Sequence, residues 1–246
     1  MPRIVVCHGC RLVAPLVPGQ AVWALLLLVV AAAACGRAAE TPGPAPALSF
    51  LDRDQIETQR TRKDEDYRLS EDSPIPPEQR ESFTGLEYYD FDPELRFIVH
   101  LERYDEPKPF TIISTQGKER PAVKLGYLSF SYGGQDNRLE VYSLRDLSAE
   151  HWDALFLPFK DATTGSETYG AGRYVELAKG VDDWYLLDFN TAYNPLCAYG
   201  RTVYRCPSTP AENRLKVAIR AGERGFSHAA EPRSEVEPAP EAGGQS

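Results

Sequence analysis

From Gly85 apolar and polar residues alternate with a period of two, and this pattern constrains the fold more than any other feature. Side chains of a strand point to opposite faces in turn, so such alternation is typical of half-buried strands. The pattern recurs in residues 96–102, 110–114, 123–131, 138–143, 173–177, 184–189 and 214–219. Gly133-Gly134 marks a hairpin. We predict a mostly β (α+β) fold with an antiparallel sheet that is rolled or barrel-like.

A helical period precedes the strands. Residues 48–69 place apolar and long side chains three or four positions apart, on one face of an otherwise charged segment. That face carries Leu48, Leu51, Gln55, Ile56, Arg60, Lys63 and Tyr67. We expect one N-terminal amphipathic helix packed on the sheet, ended by the proline-rich residues 73–77.

The first 34 residues have the composition of an export signal. Arg3 and Arg11 give a weakly basic start, and residues 21–34 form an apolar run that is too short to cross a bilayer. Three alanines then lead directly into Cys35, which resembles the lipobox of bacterial lipoproteins, where the cysteine is lipidated. An ordinary cleaved signal with an unrelated cysteine is the alternative. We predict a lipoprotein signal peptide over residues 1–34, lipidation at Cys35, and an extracytoplasmic protein that lipid anchors to a membrane of the cell envelope.

The mature chain would then have three parts. Residues 35–47 are rich in proline and alanine and are typical of a tether, and residues 48–224 form a single β-rich domain. Residues 225–246 contain almost no apolar side chains, which predicts a disordered acidic tail. Loss of the two leader arginines takes the formal net charge from −9 to −11. Such an acidic chain repels phosphate backbones, so we expect no nucleic acid partner.

Three stretches of the domain are dense in polar residues, glycine and aromatic residues. They read LFLPFKDATTGSETYGAGRY (residues 155–174), DFNTAYNPLCAY (188–199) and CPSTPAENRL (206–215). In these motifs the chain resembles the family named domain of unknown function 1684 (DUF1684), found in bacteria and archaea, and the resemblance runs from residues 62–64 to residues 221–223. Leu196 stands where the family has an aromatic residue and Thr209 where it has a proline, and the cysteines are slightly further apart. The resemblance implies no established reaction, substrate or cofactor.

The first stretch concentrates side-chain oxygens between glycines, which permit tight turns. One interpretation is an anion pocket of backbone N–H groups that is closed by Arg173. A second is a hard-cation site made by Asp161, Glu167 and Asp188. A third is structural, with Asp161 capping a turn and Glu167 paired with Arg173.

The second stretch places Asp188 and Asn190 on the same side of an extended chain, where they could point into one pocket. Aromatic walls with a few polar groups are typical of small-ligand pockets. The tyrosines available for such walls are Tyr169, Tyr174, Tyr193 and Tyr199. The structural alternative is that Asn190 and Asn194 form turns, because asparagine side chains bond their own backbone.

Cys197 and Cys206 are the cysteines left in the folded domain once Cys35 is lipidated. An even pair in an exported chain predicts a disulfide. A metal pair would lack further ligands and a nucleophilic thiol would lack a base that can be placed, so we predict no metal site. Glu212, before the last predicted strand, is a candidate general acid or base if burial raises its pKa.

Three functions are compatible with these features. We favour a binding module for a small polar or anionic ligand. The ligand would be held where residues 161–173, the first polar loop, and residues 188–199, the second polar loop, close over one hollow. The ligand-binding candidates are Asp161, Thr163, Glu167, Tyr169, Arg173, Asp188, Asn190, Tyr193, Asn194 and Glu212. The alternatives are a hydrolase, with a carboxylate pair drawn from Asp161, Glu167, Asp188 and Glu212, and an envelope adaptor protein. The sequence identifies no cofactor and no oligomeric state.

Overall fold

The computed structural model describes residues 49–144 and 155–226 of the chain. The predicted signal peptide, Cys35, the tether and the tail beyond Phe226 lie outside the described residues. Within those two ranges, no helix combines the length and the apolar character needed to cross a membrane.

Eight strands of the described residues form three antiparallel sheets. The strands are β1 (Arg96–His100), β2 (Glu102–Ile113), β3 (Glu119–Tyr132), β4 (Gln135–Leu144), β5 (Pro158–Phe159), β6 (Arg173–Tyr174), β7 (Leu177–Lys179) and β8 (Trp184–Asp188). One sheet has the order β1-β8-β7, another has the order β2-β3-β4, and β5 pairs with β6. The turn between β3 and β4 lies at Gly133-Gly134, as expected. The prediction of a mostly β fold with antiparallel sheets is confirmed.

The first helix, α1 (Arg53–Leu69), begins later than the sequence period suggested. Asp52 stops it from extending further toward the N-terminus, because its side chain accepts from the backbone N–H of Gln55 at 2.8 Å. The Gln55 side chain accepts in return from the backbone N–H of Asp52 at 2.8 Å, which completes a capping box. A second helix, α2 (Pro77–Arg80), is a single turn with proline at its start.

Only Ile56 and Arg60 of α1 are buried. Arg60 donates to the backbone carbonyls of Tyr89 and Asn190, each at 3.3 Å. The helix therefore contacts the segment that precedes β1 and the turn that follows β8. These two contacts bring the basic face of α1 to the loops that hold the predicted site residues.

The largest apolar cluster joins residues of both three-stranded sheets, including Val99 of β1 and Leu128 of β3. Phe189, directly after β8, is fully buried at its centre. Its ring centroid lies 5.1 Å from that of Phe159, 5.6 Å from that of Phe130 and 6.1 Å from that of Phe97. Burial of such large rings, together with the aliphatic residues of the cluster, stabilises the fold.

The sheets of the described residues do not close into a barrel, so the barrel-like expectation is corrected. Residues 214–219, predicted as a strand, make only an isolated bridge between Lys160 and Arg214. Their backbone bonds the residues that follow β5, since the N–H of Leu215 donates to the carbonyl of Lys160 at 2.8 Å and the N–H of Ala162 donates to that of Val217 at 3.0 Å. The N–H of Ile219 donates to Oδ2 of Asp161 at 2.7 Å. That segment is therefore not available as a strand to join the sheet edges.

Candidate functional site

The first polar loop contains a buried ion pair. Arg173 on β6 is 1% exposed, and its Nη2 donates to Oδ2 of Asp161 at 3.3 Å. The same guanidinium donates to the backbone carbonyls of Ile219 (2.7 Å), Ala221 (2.6 Å) and Glu223 (3.0 Å). Burial lowers the pKa of Arg173, and the Asp161 carboxylate opposes that shift. Because the chain itself supplies four acceptors to Nη1 and Nη2, these groups hold the C-terminal segment and are not free for an external anion.

The threonines of this loop bond to one another and to Asp161. Oδ1 of Asp161 accepts from the hydroxyl of Thr163 at 2.7 Å and from that of Thr164 at 3.0 Å. The Thr163 hydroxyl also lies 3.0 Å from that of Thr168. Thr163 is fully buried, and its carbonyl accepts from three successive backbone N–H groups at residues 166–168. The loop is thus a compact turn that Asp161 caps.

Glu167 lies at the surface of the same loop. Arg220 donates to both of its oxygens, from Nη2 to Oε1 at 2.7 Å and from Nε to Oε2 at 3.1 Å, and the Tyr89 hydroxyl donates to Oε2 at 3.1 Å. The hydrogen bonds from Arg220 and Tyr89 lower the pKa of Glu167. The expected partner was Arg173, and the structure corrects it to Arg220 because Arg173 points into the interior.

Asp188 and Asn190 hold a turn rather than an open pocket. Asp188 accepts from Nε of Arg96 at 3.1 Å, and its other oxygen accepts from the backbone and side-chain nitrogens of Asn190, both at 2.9 Å. The Asn190 side chain also bonds the backbone N–H and the carbonyl of Asp92, both at 2.8 Å. The amide therefore joins the turn after β8 to the residues before β1.

Two other candidates, Glu212 and Tyr169, do not join the hydrogen-bond network around Arg173. Glu212 accepts from Nζ of Lys124 on β3; burial by itself would raise the pKa of Glu212, but the bond from Lys124 and others lower it overall. Tyr169 packs against a second apolar cluster that includes Ile75 and Phe83, and burial raises its pKa. Neither residue contacts the Asp161–Arg173 pair through a described hydrogen bond.

The four carboxylates considered for a hydrolase each pair with a different cation. The pairs are Asp161–Arg173, Glu167–Arg220, Asp188–Arg96 and Glu212–Lys124. Two carboxylates that work as acid and base need environments that push their pKa values apart, with at least one raised toward neutrality. Each of the four carboxylates is instead held by its own cation, so the geometry gives the hydrolase no support.

A buried carboxylate that the sequence did not single out joins the second polar loop to the first. Glu223 is 1% exposed, and its Oε2 accepts from the backbone N–H of Asn194 at 2.9 Å and from the Tyr199 hydroxyl at 2.5 Å. Oε1 accepts from Nζ of Lys63 on α1. Burial, and then the charge of Glu223, raise the pKa of Tyr199 well above its ordinary value, which keeps that hydroxyl a donor. The two loops therefore meet at residues 219–224.

Gly222 allows the second polar loop to lie close to residues 219–224. Its φ is 73°, and a Cβ there would lie 2.4 Å from the carbonyl oxygen of Ala192 and 2.8 Å from that of Phe189. The missing side chain lets the two segments approach until the N–H of Glu223 donates to the Ala192 carbonyl at 2.9 Å. Any larger residue would displace Glu223 from its partners.

Cys197 and Cys206 form the predicted disulfide, with their Cα atoms 6.1 Å apart. Cys197 lies in the 3-10 turn Leu196–Tyr199, so the bond holds the turn that carries Tyr199. The Thr115 hydroxyl, after β2, contacts Sγ of Cys197 at 3.4 Å. The N–H of Thr115 also donates to the carbonyl of Cys206 at 2.9 Å, so the end of the β2–β3 hairpin contacts both cysteines of the loop.

A cavity of about 170 Å³ opens beside the Lys63–Glu223 pair. Arg60 and Lys63 of α1 form one wall, and Tyr88, Tyr193 and Glu223 contribute to the others. Of the predicted site residues, Asn190 and Tyr193 line it. Nζ of Lys63 lies over three aromatic rings, 5.2 Å from the centroid of Tyr67, 5.3 Å from that of Tyr193 and 5.8 Å from that of Tyr199.

The cavity wall has an excess of positive charge and two unused polar atoms. Glu223 is compensated by Lys63, whereas the only carboxylate on Arg60 among the described ion pairs is Glu57, which is half exposed and screened by water. Nε of Arg60 and the Tyr88 hydroxyl are buried without a hydrogen-bond partner in the described residues. The Arg60 guanidinium lies over the Tyr88 ring at 4.5 Å. A buried polar group without a partner costs about 1–3 kcal/mol, so an acceptor that reached this pair would stabilise the protein.

Sequence reasoning placed Arg60 and Lys63 on the inner face of the helix but did not treat them as site residues. Two basic residues on the buried side of a charged helix were the available signal, because long charged side chains rarely face inward without a partner. The position of Glu223 near the end of the folded domain gave no comparable signal. No three His, Cys, Asp or Glu side chains in the part of the chain that the structure describes are arranged to hold a metal ion.

Residues 81–224 match the family described as "Protein of unknown function (DUF1684)". Among solved structures, the chain is similar to an uncharacterised protein of Haloarcula marismortui determined by solution NMR, with 35% sequence identity and a TM-score of 0.53. That similarity covers 70% of this chain and 92% of the archaeal chain. No curated protein matches.

The buried position of Arg173 leads to a stability prediction. Arg173→Met leaves the Asp161 carboxylate buried without its cation and removes the donors to three carbonyls. We expect a loss of about 3–5 kcal/mol in the free energy of unfolding, measured by urea denaturation. Arg220→Met is the matched control, since it breaks the ion pair of an exposed arginine with Glu167, and its free energy of unfolding should stay close to that of the parent chain. Equal losses in the two variants would contradict the assignment of Arg173 to the interior.

Proposed function

The chain belongs to the DUF1684 family, and we propose that it is a binding module for a small anion, which occupies the cavity between α1, Tyr193 and Glu223. The observation that carries this proposal is the Arg60 guanidinium: the residue lines the cavity, and its buried Nε has no acceptor among the described residues. Guanidinium groups suit carboxylates and phosphates because their planar N–H groups match two oxygens.

The size of the cavity limits the ligand. A volume of about 170 Å³ corresponds to about five or six water molecules, at about 30 Å³ each. Phosphate or a carboxylate of a few carbon atoms fits this space. Lys63 is 25% exposed on its side chain and can add a hydrogen bond to an anion while it stays on Glu223. Tyr88 can donate its hydroxyl to the same ligand.

The polar loops act in this proposal as support. Arg173 and Glu223 fix residues 219–224 in the interior, and Asn190 fixes the turn after β8. A site whose walls are held by buried hydrogen bonds loses little freedom when a ligand binds. The predicted site residues therefore contribute to binding mainly by holding Tyr193, Glu223 and α1 in place.

We also propose that the module works outside the cytoplasm as a lipoprotein. The apolar leader that ends in three alanines before Cys35 supports this, and so does the Cys197–Cys206 disulfide, because disulfides persist in oxidising compartments. A tether rich in proline would hold the domain away from the lipid surface. Anions present outside the cytoplasm would then be the available ligands.

Ligand binding should appear as thermal stabilisation. Inorganic phosphate or succinate, titrated at constant ionic strength, should raise the melting temperature by about 5–10 °C at a hundred times the dissociation constant. Arg60→Met should weaken the affinity by about 10–100-fold, since it removes a charged hydrogen-bond donor. Arg62→Met, an exposed arginine of the same helix, is the matched control and should retain the affinity.

Two outcomes would contradict the proposed site. One is the absence of a saturable shift with any small anion in a broad set. The other is an equal loss of affinity in Arg60→Met and Arg62→Met, which would mean that only the net charge of the helix matters. Isothermal titration of each variant, at a temperature where both are folded, separates affinity from stability.

Lipidation at Cys35 can be tested separately. Metabolic labelling with a fatty acid should mark the chain expressed in a bacterial host, and Cys35→Ser should abolish the label. Cys197→Ser, which alters a cysteine of the folded domain, should leave the label in place. Label that persists in Cys35→Ser would contradict lipid attachment at this residue without bearing on the anion site.

A further inference from the structure

The walls of the cavity beside α1, which we call the Arg60 cavity, differ in chemistry along the helix. Ile56, Arg60 and Lys63 line it and lie on one face of α1, because their spacing in the sequence follows the helical period. With a rise of about 1.5 Å per residue, Ile56 lies about 6 Å from Arg60 along the helix axis. The helix therefore presents an apolar side chain and two cationic side chains to the same space.

The segment after β8 adds apolar surface to the cavity. Ile56 of α1 and Ala192 of this segment both line the cavity, and each is 2% exposed. Tyr193 contributes its ring, because its hydroxyl already donates to Oε1 of Glu176 at 2.7 Å. The side-chain amide of Asn190 is likewise bonded within its own turn. An inorganic anion would leave this apolar surface in water, whereas a hydrocarbon chain would cover it.

Arg60 retains N–H groups that no described residue accepts. Its Nη1 donates to Glu57 and to the carbonyl of Tyr89, and its Nη2 donates once, to the carbonyl of Asn190. The N–H of Nε and the second N–H of Nη2 are therefore unused in the described hydrogen bonds. These two nitrogens share an edge of the guanidinium plane, and the two oxygens of one carboxylate match such an edge.

The carboxylates around the cavity limit the charge of its ligand. Glu223 lines the cavity and is 1% exposed. Glu57 lies 3.0 Å from Arg60, and burial, then the charges of Glu223 and Asp64, raise the pKa of Tyr88. Three carboxylates are thus in or close to the walls. A ligand with a second negative charge would be repelled by them, whereas a ligand with one charge can pair with Arg60.

We propose that the ligand of the Arg60 cavity is a monocarboxylate with a short aliphatic chain. The inference rests on the proposed anion site and narrows its ligand to this class. The carboxylate accepts from the unused N–H groups of Arg60, and the aliphatic chain lies on Ile56, Ala192 and the Tyr193 ring. A single charge also leaves the ion pair between Lys63 and Glu223 in place.

The volume of the cavity sets the length of the aliphatic chain. A space of about 170 Å³ holds about five or six groups of the size of a water molecule. Propionate and butyrate have this many non-hydrogen atoms. Acetate is shorter and leaves part of the apolar surface uncovered, and the end of a longer chain remains in solvent. Propionate and butyrate are therefore the expected best fits.

Isothermal titration of the processed chain, residues 35–246 with Cys35→Ser, tests the ligand class at pH 8 and constant ionic strength. From acetate to butyrate the affinity should rise by up to about fourfold per methylene, since each buried CH₂ contributes about 0.8 kcal/mol. Hexanoate should gain little over butyrate. Phosphate and succinate, which carry a second charge, should bind at least about tenfold more weakly than butyrate.

Glu223→Gln tests the charge limit at the same site. The amide keeps an oxygen that can accept from the Asn194 N–H and the Tyr199 hydroxyl, but it removes the negative charge. The ratio of succinate affinity to butyrate affinity should rise by about fivefold, the effect of about 1 kcal/mol between screened charges. A merely structural role of Glu223 would lower both affinities and leave their ratio unchanged.

Glu65→Gln is the matched control for this variant. It removes an exposed carboxylate from the same helix, so the ratio of succinate affinity to butyrate affinity should stay that of the parent chain. Thermal unfolding of both variants verifies that each is folded at the temperature of the titration. An equal rise of the ratio in the two variants would mean that only the net charge of the chain matters, which would overturn the charge limit.

The ligand series separates failure of this inference from failure of the anion site. The inference is overturned if butyrate binds no better than acetate, if succinate or phosphate binds as tightly as butyrate, or if uncharged butyramide equals butyrate. A saturable effect of phosphate that is lost in Arg60→Met would still support the anion site in the first two cases. Absence of binding by every anion would overturn both proposals.

Discussion

The buried guanidinium of Arg173 is the interaction on which the arrangement of the two polar loops depends. A charge removed from water is tolerated only when its hydrogen bonds and its counter-ion are supplied by the fold, because desolvation costs several kcal/mol per ion. Asp161 supplies the counter-ion, and the carbonyls of residues 219–223 supply the remaining acceptors. The glycines and threonines of the first loop then serve to bring Asp161 and Arg173 together.

The fixed C-terminal segment has a direct consequence for the cavity. Arg173 binds the backbone of Glu223, and the Glu223 side chain binds Asn194, Tyr199 and Lys63. The side of Glu223 that faces α1 thus forms one wall of the cavity, while its backbone belongs to the interior. Glu223 therefore contributes both to the cavity and to the stability of the fold. A substitution of Glu223 would change anion affinity and the free energy of unfolding together. Arg60 also holds α1 to the carbonyls of Tyr89 and Asn190, so the affinity of Arg60→Met is compared with that of Arg62→Met at a temperature where both variants are folded.

The sequence predicted the features that depend on local periodicity. Alternation located β1 to β4 and β8, and the spacing of Ile56 and Arg60 placed them together on the inner face of α1. The disulfide followed from the number of cysteines left in an exported domain. Residues 214–219 show the limit of that reasoning, since they form only one isolated bridge, to the residue after β5, and the N–H of Ile219 bonds the Asp161 side chain.

The candidate site was less predictable for a physical reason. Asp161, Arg173, Asp188 and Asn190 are polar residues among glycines, and the same composition serves a ligand pocket or a buried network. Only burial distinguishes these two uses, and burial depends on contacts far apart in the chain, such as that between Arg173 and Ala221. Arg60 was not recognised as a site residue because many residues of its helix are charged. The sequence does not show which of these side chains has no partner.

The most direct measurement of the central claim is the NMR signal of the Arg60 Nε–H group during a titration with phosphate. An anion in the cavity supplies the missing acceptor, so this signal should shift and reach saturation at the same concentration as the rise in melting temperature. The signal of Arg62, on the exposed side of α1, should change only slightly and in proportion to salt. An Arg60 signal that follows the Arg62 signal throughout the titration would contradict anion binding in this cavity.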